Sequence, residues 1–209
     1  EYILGNIFSK NGLYPQVTTK ANPWYENDFT TGKLGQLNAE NLQRQLGVSL
    51  KNLQVEKVHR LFLHCPDYET PIKETIETCN KLWRLEKFEE WGLSNFSLQQ
   101  TKEVLEICEE NSFRKPVVYQ GMYNMICRRA EELFPLLQDN DMEFWAYNPL
   151  AGGLLSGKYR NRALEEDSRF KNNAIYQSIF WKPQILDLVD NIQISPLQTA
   201  FQFYYQDSG

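Results

Sequence analysis

Residues 61–95 read LFLHCPDYETPIKETIETCNKLWRLEKFEEWGLSN. The apolar triplet Leu61-Phe62-Leu63 stops at His64, and Trp91-Gly92-Leu93 stops at Ser94-Asn95. Each triplet is too short for a buried helix and is bounded by turn residues, so each reads as a buried strand. Between them Thr70 suits a helix N-cap, with Pro71 at the first helical position. Ile72, Ile76, Cys79 and Trp83 then recur at helical spacing. A strand, a helix and a second strand of this length form a crossover unit, which joins parallel strands.

Working outward, the same alternation continues. Val17-Thr18-Thr19, Val117-Val118-Tyr119 and Phe144-Trp145-Ala146 are further strands. Ser97 to Gln100 fits a capping box, with Val104, Leu105 and Cys108 on one face behind it. Leu133, Leu136 and Leu137 mark another helix, as do Ile185, Leu186 and Val189, and then Leu197 with Phe201. Tyr2 lies in a helix-like segment. No internal repeat and no low-complexity linker divides the chain, so residues 1–209 read as a single domain. A doubly wound sheet also fits the alternation, but no GxGxxG follows the first strand, which weighs against it.

Composition narrows the partners. The net charge of -5 argues against a surface for nucleic acid. No apolar run approaches the roughly 20 residues that span a bilayer, and no signal peptide is visible. Cys65, Cys79, Cys108 and Cys127 form no CxxC pair and read as reduced thiols of a cytoplasmic protein. His59 and His64 do not complete a zinc set with them, so no metal site is expected.

Each strand ends in polar residues. Lys20 follows Val17-Thr18-Thr19, His64 follows Leu63, Ser94-Asn95 follow Leu93, Gln120 follows Tyr119, and Tyr147-Asn148 follow Ala146. Taken singly, these are a solvated lysine, a structural histidine, a helix cap and plain core. In a parallel barrel, however, all strand carboxyl ends lie on one face, and that face carries the active site. The segment Asn148-Pro149-Leu150-Ala151-Gly152-Gly153-Leu154-Leu155-Ser156-Gly157-Lys158 adds three glycines, a hydroxyl and an ammonium, a composition suited to a phosphate.

These residues resemble the aldo-keto reductase superfamily, and within it the aflatoxin aldehyde reductase branch. The strings that carry the likeness are Thr19 to Trp24, Leu63 to Asp67, Gly92 to Phe96, Tyr119 to Asn124 and Asn148 to Lys158. The resemblance implies a (β/α)8 TIM-type barrel, of which this chain holds about strands three to seven. It implies reduction of small-molecule aldehydes and ketones with NADP(H), and leaves room for a homodimer. By motif, Lys20 is the lysine that lowers the pKa of an acid tyrosine, and His64 the histidine that hydrogen-bonds the carbonyl. Ser94, Asn95 and Gln120 hold the nicotinamide carboxamide, and Tyr147 stacks on its ring. The loop of residues 148–158 wraps the pyrophosphate, and Arg169 reaches the phosphate side.

The resemblance also implies an aspartate and a tyrosine ahead of Glu1, and a last strand with a 2′-phosphate loop after Gly209. A 209-residue chain lacking that acid is expected to turn over negligibly. Two functions stay open: a reductase, and a non-catalytic NADP(H)-binding or regulatory member. Three departures from the family pattern stand out. His59 replaces an acid, Glu86 replaces a glycine, and the segment between Trp24 and Leu61 reads as a loop longer than usual.

Overall fold

A computed structural model describes residues 1–13, 15–25, 30, 32–159, 162, 164 and 168–191. Leu197 and Phe201 lie outside the described residues. The chain divides into two compact units: Glu1–Gln120 with Leu133–Trp145, and Gly121–Glu132 with Ala146–Gly209.

The first unit carries most of a five-stranded sheet. Its elements in chain order are α1 (Tyr2–Asn11), β1 (Thr18–Ala21), α2 (Ala39–Leu53), β2 (Val58–Leu63), α3 (Ile72–Arg84), β3 (Phe88–Ser94), α4 (Leu98–Glu110), β4 (Val118–Met122), α5 (Phe134–Asp139) and β5 (Glu143–Tyr147). All five expected strands are present. Their order, β1-β2-β3-β4-β5, follows the sequence without a skip. A doubly wound sheet reverses its order at a switch point, and this one does not. The three pairings from β1 to β4 are parallel.

The burial of β2 explains its composition. From Arg60 to Leu63 every residue is buried, as a strand covered on both faces requires. On one face Leu61, Leu63 and Leu93 join Ile76, Cys79 and Leu82 of α3 and Val104, Leu105 and Cys108 of α4 in one apolar core. The other face runs Lys20, Phe62, Gly92 and Val118 in register across four strands. A Cβ on Gly92 would stand 2.7 Å from the Phe62 ring and 2.6 Å from the Val118 carbonyl oxygen, so only glycine lets that ring lie flat there. At the amino end of this face Arg60 pairs with Glu90 at 2.5 Å and stacks 4.6 Å from the Trp145 ring.

Several local expectations need correction. The segment between Trp24 and Leu61 is not one long loop: it contains the 15-residue helix α2, whose Leu42, Leu46, Ser49 and Leu53 form one buried stripe. Asn38 caps that helix by accepting from the Asn41 amide. Thr70 does not cap α3. Pro71 occupies the N-cap position, and the Thr70 hydroxyl instead donates to Asp67 at 2.9 Å. Asp67 also accepts from the amides of Gly35, Leu37 and Glu69, which makes it the organiser of the loop entering α2. The capping box of α4 is present in both directions. Glu86 sits at φ 55, so the departure from glycine falls on a left-handed backbone position.

In the second unit, Ala151, Leu154, Leu155, Tyr159, Phe170, Phe180, Leu186 and Val189 form a separate core. Short helices α6 (Ala174–Phe180) and α7 (Pro183–Asp190) supply its later members. Among the described residues no helix is long and apolar enough to cross a membrane. None of them group His, Cys, Asp or Glu in threes fit for a metal ion. The four cysteines are free thiols; Cys79 and Cys108 are buried, and burial pushes the Cys108 thiol up to about 12.

Candidate active site

The polar residues at the strand ends of the first unit do not all follow their strands. Lys20 lies within β1 and Gln120 at the middle of β4, while Ser94 closes β3. His64 and Asn95 are the first residues past β2 and β3. The strands run further than their apolar triplets, and the face turned away from the helices becomes polar at its carboxyl end, where Ser94 and Gln120 are in register.

The structure brings Lys20, His64, Ser94, Asn95 and Gln120 into one connected group. The Lys20 ammonium donates to the Gln120 amide oxygen. It also stands 5.5 Å from the centre of the Phe62 ring. Gln120 is in register with Ser94. Asn95 adopts φ 62, and its Nδ2 donates to the His64 carbonyl at 2.9 Å and to the Ser94 hydroxyl at 3.1 Å. Ser94 itself is fully buried.

Burial sets the electrostatics. Partial withdrawal from water lowers the pKa of Lys20. The same effect, reinforced by the nearby Lys20 ammonium, pulls His64 down to about 4, so its ring is neutral at pH 7. Lys20 also lines a cavity of about 570 Å³ with Asn22, Trp24, Gln36, Arg44 and Gln45. A half-buried cation beside a neutral imidazole suits the stabilisation of negative charge developing on a substrate oxygen.

The second unit holds the remaining candidates. Tyr147 ends β5, and its carbonyl accepts from the Tyr123 amide at 3.3 Å. Within the loop of residues 148–158, Ala151–Ser156 form a 3-10 turn kinked at Gly152 and Gly153. Asn148, Ala151, Gly152 and Gly153 all have positive φ, and the Asn148 Oδ1 holds the Gly152 amide at 2.8 Å. Ala151, Leu154 and Leu155 are buried in the unit's core, so only their backbone is available to a ligand. The Ser156 hydroxyl donates to the Gly153 carbonyl at 2.6 Å. The Lys158 ammonium lies 4.8 Å from the Tyr159 ring, and the exposed Arg169 sits 5.7 Å from that of Tyr176. Pro149, Leu150 and Gly157 contribute backbone geometry.

With this geometry in hand, comparison with known proteins decides the family. Residues 3–209 match the model of the aldo/keto reductase family. The chain belongs to the aldo/keto reductase family. Human aflatoxin B1 aldehyde reductase member 2 is 39% identical over 193 residues, which cover 89% of this chain and 51% of that protein. The rat protein of the same name is 42% identical, over 96% of this chain and 55% of its own length. Human aldo-keto reductase family 7 member A3 is 40% identical, over 96% and 61%. The chain therefore spans about half to three fifths of these relatives. Among solved structures, the glycerol dehydrogenase of Gluconobacter oxydans superposes with a TM-score of 0.74 at 22% identity, over 97% of this chain and 63% of that one. That likeness supports the barrel architecture.

Two residues of this aldo/keto reductase chain escaped the reading of strand ends. Asn22, the first residue past β1, places its Oδ1 2.5 Å from Nδ1 of His64. Trp24 sets its ring edge-on to His64, with centroids 5.0 Å apart. In the structure His64 and Asn95 are the first residues past β2 and β3, and Asn22 holds the same place past β1, which ends at Ala21 rather than at Thr19.

Proposed function

We propose that the full-length protein reduces aldehydes and ketones to alcohols with NADP(H). Family membership supports carbonyl reduction, and the arrangement around Lys20 supports the rest. The observation that carries the reading is the half-buried Lys20 ammonium, hydrogen-bonded to Gln120 and acting on a neutral His64. NADPH, when bound, supplies the hydride.

The donor set fits such a cofactor. Ser94, Asn95 and Gln120 offer both donors and acceptors, as a carboxamide with an N–H₂ and a C=O requires. In the second unit Asn148 keeps a buried Nδ2 donor with no partner among the described residues. The left-handed turns at Gly152 and Gly153, with Ser156 and Lys158 beside them, suit an anion.

Lys20 then lowers the pKa of the phenol that gives the proton, because a nearby cation favours the phenolate. His64 meets the substrate oxygen. The aspartate and tyrosine of the family pattern belong to sequence ahead of the segment matched by Glu1 to Gly5. We assign the protein to the cytoplasm on the strength of its four free cysteines.

The test is NADPH absorbance in the presence of a panel of aldehydes, with full-length protein. Turnover that Lys20→Met abolishes is expected. NADPH binding without turnover of any aldehyde overturns the reductase reading in favour of a non-catalytic nucleotide-binding member.

A further inference from the structure

Asn22 contacts His64 through an amide oxygen. Oδ1 lies 2.5 Å from Nδ1, and an amide oxygen can only accept, so with the amide turned this way the contact calls for the ring proton on Nδ1. The ring is neutral at pH 7, because burial and the Lys20 ammonium both oppose a second proton. Nε2 therefore keeps its lone pair.

The rest of His64 is held as firmly. Its N–H donates to the Ala21 carbonyl at 2.9 Å, its own carbonyl accepts from Asn95, and the Trp24 ring meets it edge-on. Asn22 is anchored in turn by Gln45 of α2. The Asn22 amide donates to Gln45 Oε1 at 2.9 Å, and Gln45 Nε2 donates back to the Asn22 carbonyl at 3.0 Å and to that of Gln36 at 2.7 Å. A chain of contacts thus runs from α2 through Asn22 to the ring nitrogen.

We propose that Asn22 is the positioning residue for His64, fixing its ring orientation and its resting tautomer, with the proton on Nδ1 and the lone pair on Nε2. This rests on the reading of His64 as the group that meets the substrate oxygen, and adds what that group offers. In the resting tautomer Nε2 accepts a hydrogen bond from a hydroxyl, such as that of an alcohol or a hydrated aldehyde. To donate to a carbonyl oxygen, the ring must lose the Nδ1 proton to solvent and take one up at Nε2. A half-turn of the Asn22 amide then presents Nδ2 to the bare Nδ1 and supports the new tautomer. Asparagine serves both states because its side chain both donates and accepts; an aspartate serves only the first.

The test is the tautomer itself, read by ¹⁵N–¹H correlation on protein labelled with ¹⁵N-histidine. The signals that disappear in His64→Gln are those of His64, which assigns them whatever other histidines the protein carries. The Nδ1–H form is expected in the parent protein and in Asn22→Asp, with the preference lost in Asn22→Leu. A predominant Nε2–H form, or a ratio unchanged in Asn22→Leu, overturns the proposal. If Asn22→Leu does not fold, Asn22→Asp decides. Its carboxylate should raise the His64 titration midpoint by about one pH unit or more against the opposing Lys20 charge. A midpoint that stays put means that residue 22 does not touch the ring. No turnover is measured, so these outcomes stand apart from the success or failure of the reductase reading.

Discussion

Lys20 and Gln120 sit on β1 and β4, three strands apart, and still share a hydrogen bond from ammonium to amide oxygen. At the usual strand spacing a flat sheet would separate their backbones by about 14 Å, with parallel side chains that never converge. The contact exists because this part of the sheet curls towards Lys20, as a barrel wall does. The curl makes one site out of residues a hundred positions apart in the chain.

Gln120 should therefore control Lys20. In Gln120→Glu a carboxylate replaces the neutral partner, raises the lysine pKa and cancels part of its field. Reductase turnover should fall on the order of 10-fold or more, and NADPH binding should weaken with it, because the carboxylate also removes a donor assigned to the carboxamide. In Gln120→Leu the ammonium loses its acceptor, which costs about 1–3 kcal/mol of stability. Steady-state kinetics and denaturant midpoints of the two variants separate the effects. Equal kinetics in Gln120→Glu and the parent protein would remove Gln120 from the site.

The strands were legible because burial on both faces writes an apolar run, and Leu61 to Leu63 is such a run. The strand ends were less so. Lys20 and Gln120 look like residues that stop a strand, but the interior face of this sheet is polar at its carboxyl end, and the strand continues through them. Helix α2 escaped notice because its buried stripe of Leu42, Leu46 and Leu53 is interrupted by Ser49, within a segment rich in Asn and Gln. The hydrogen bond between Asn22 and His64 spans 42 residues and leaves no periodic trace in the sequence. Only the folded chain shows it.

Stability should fall with pH in a window that His64 sets. Its pKa is about 4 in the folded chain, against an ordinary 6.5. Between those values the unfolded chain binds the proton and the folded chain does not, so acid favours unfolding. The loss begins as pH drops below about 6.5 and is complete near pH 4. In His64→Gln this part of the pH dependence should vanish. Urea midpoints at pH 7.5 and pH 4.5, compared between the two proteins, give the difference directly. An identical drop in both would place the acid sensitivity elsewhere.

Glu86 offers an unusual gain. It holds φ 55 just past α3, and its amide donates to the Trp83 carbonyl at 2.8 Å. A side chain in this left-handed region costs roughly 1–2 kcal/mol, a strain glycine avoids. Part of the gain is lost to the greater freedom of glycine in the unfolded chain. Glu86→Gly should still raise the unfolding free energy, by about 0.5–1 kcal/mol, whereas Glu86→Ala should not. Thermal melts of the three proteins check the order.

Gly152 and Gly153 adjoin in the loop that we assign to the cofactor phosphates, and they should fail in different ways. Both have positive φ, at 71° and 97°, so any side chain strains either. Their surroundings differ. A Cβ on Gly152 would stand 2.8 Å from the Tyr176 ring and 3.1 Å from that of Phe170, inside the core of the second unit. On Gly153 the nearest atoms are 3.7 Å away, which is ordinary contact. Gly152→Ala should thus lose more stability than Gly153→Ala, by about 1–3 kcal/mol, because it overpacks as well as strains. Gly153→Ala should leave the fold standing and act on the ligand. Its methyl group and the shifted turn should weaken NADPH binding several-fold, measured by calorimetric titration against a chain whose melting temperature has changed little. Unchanged affinity in Gly153→Ala would take this turn out of the cofactor site, and Gly152 would then be a glycine for the sake of packing alone.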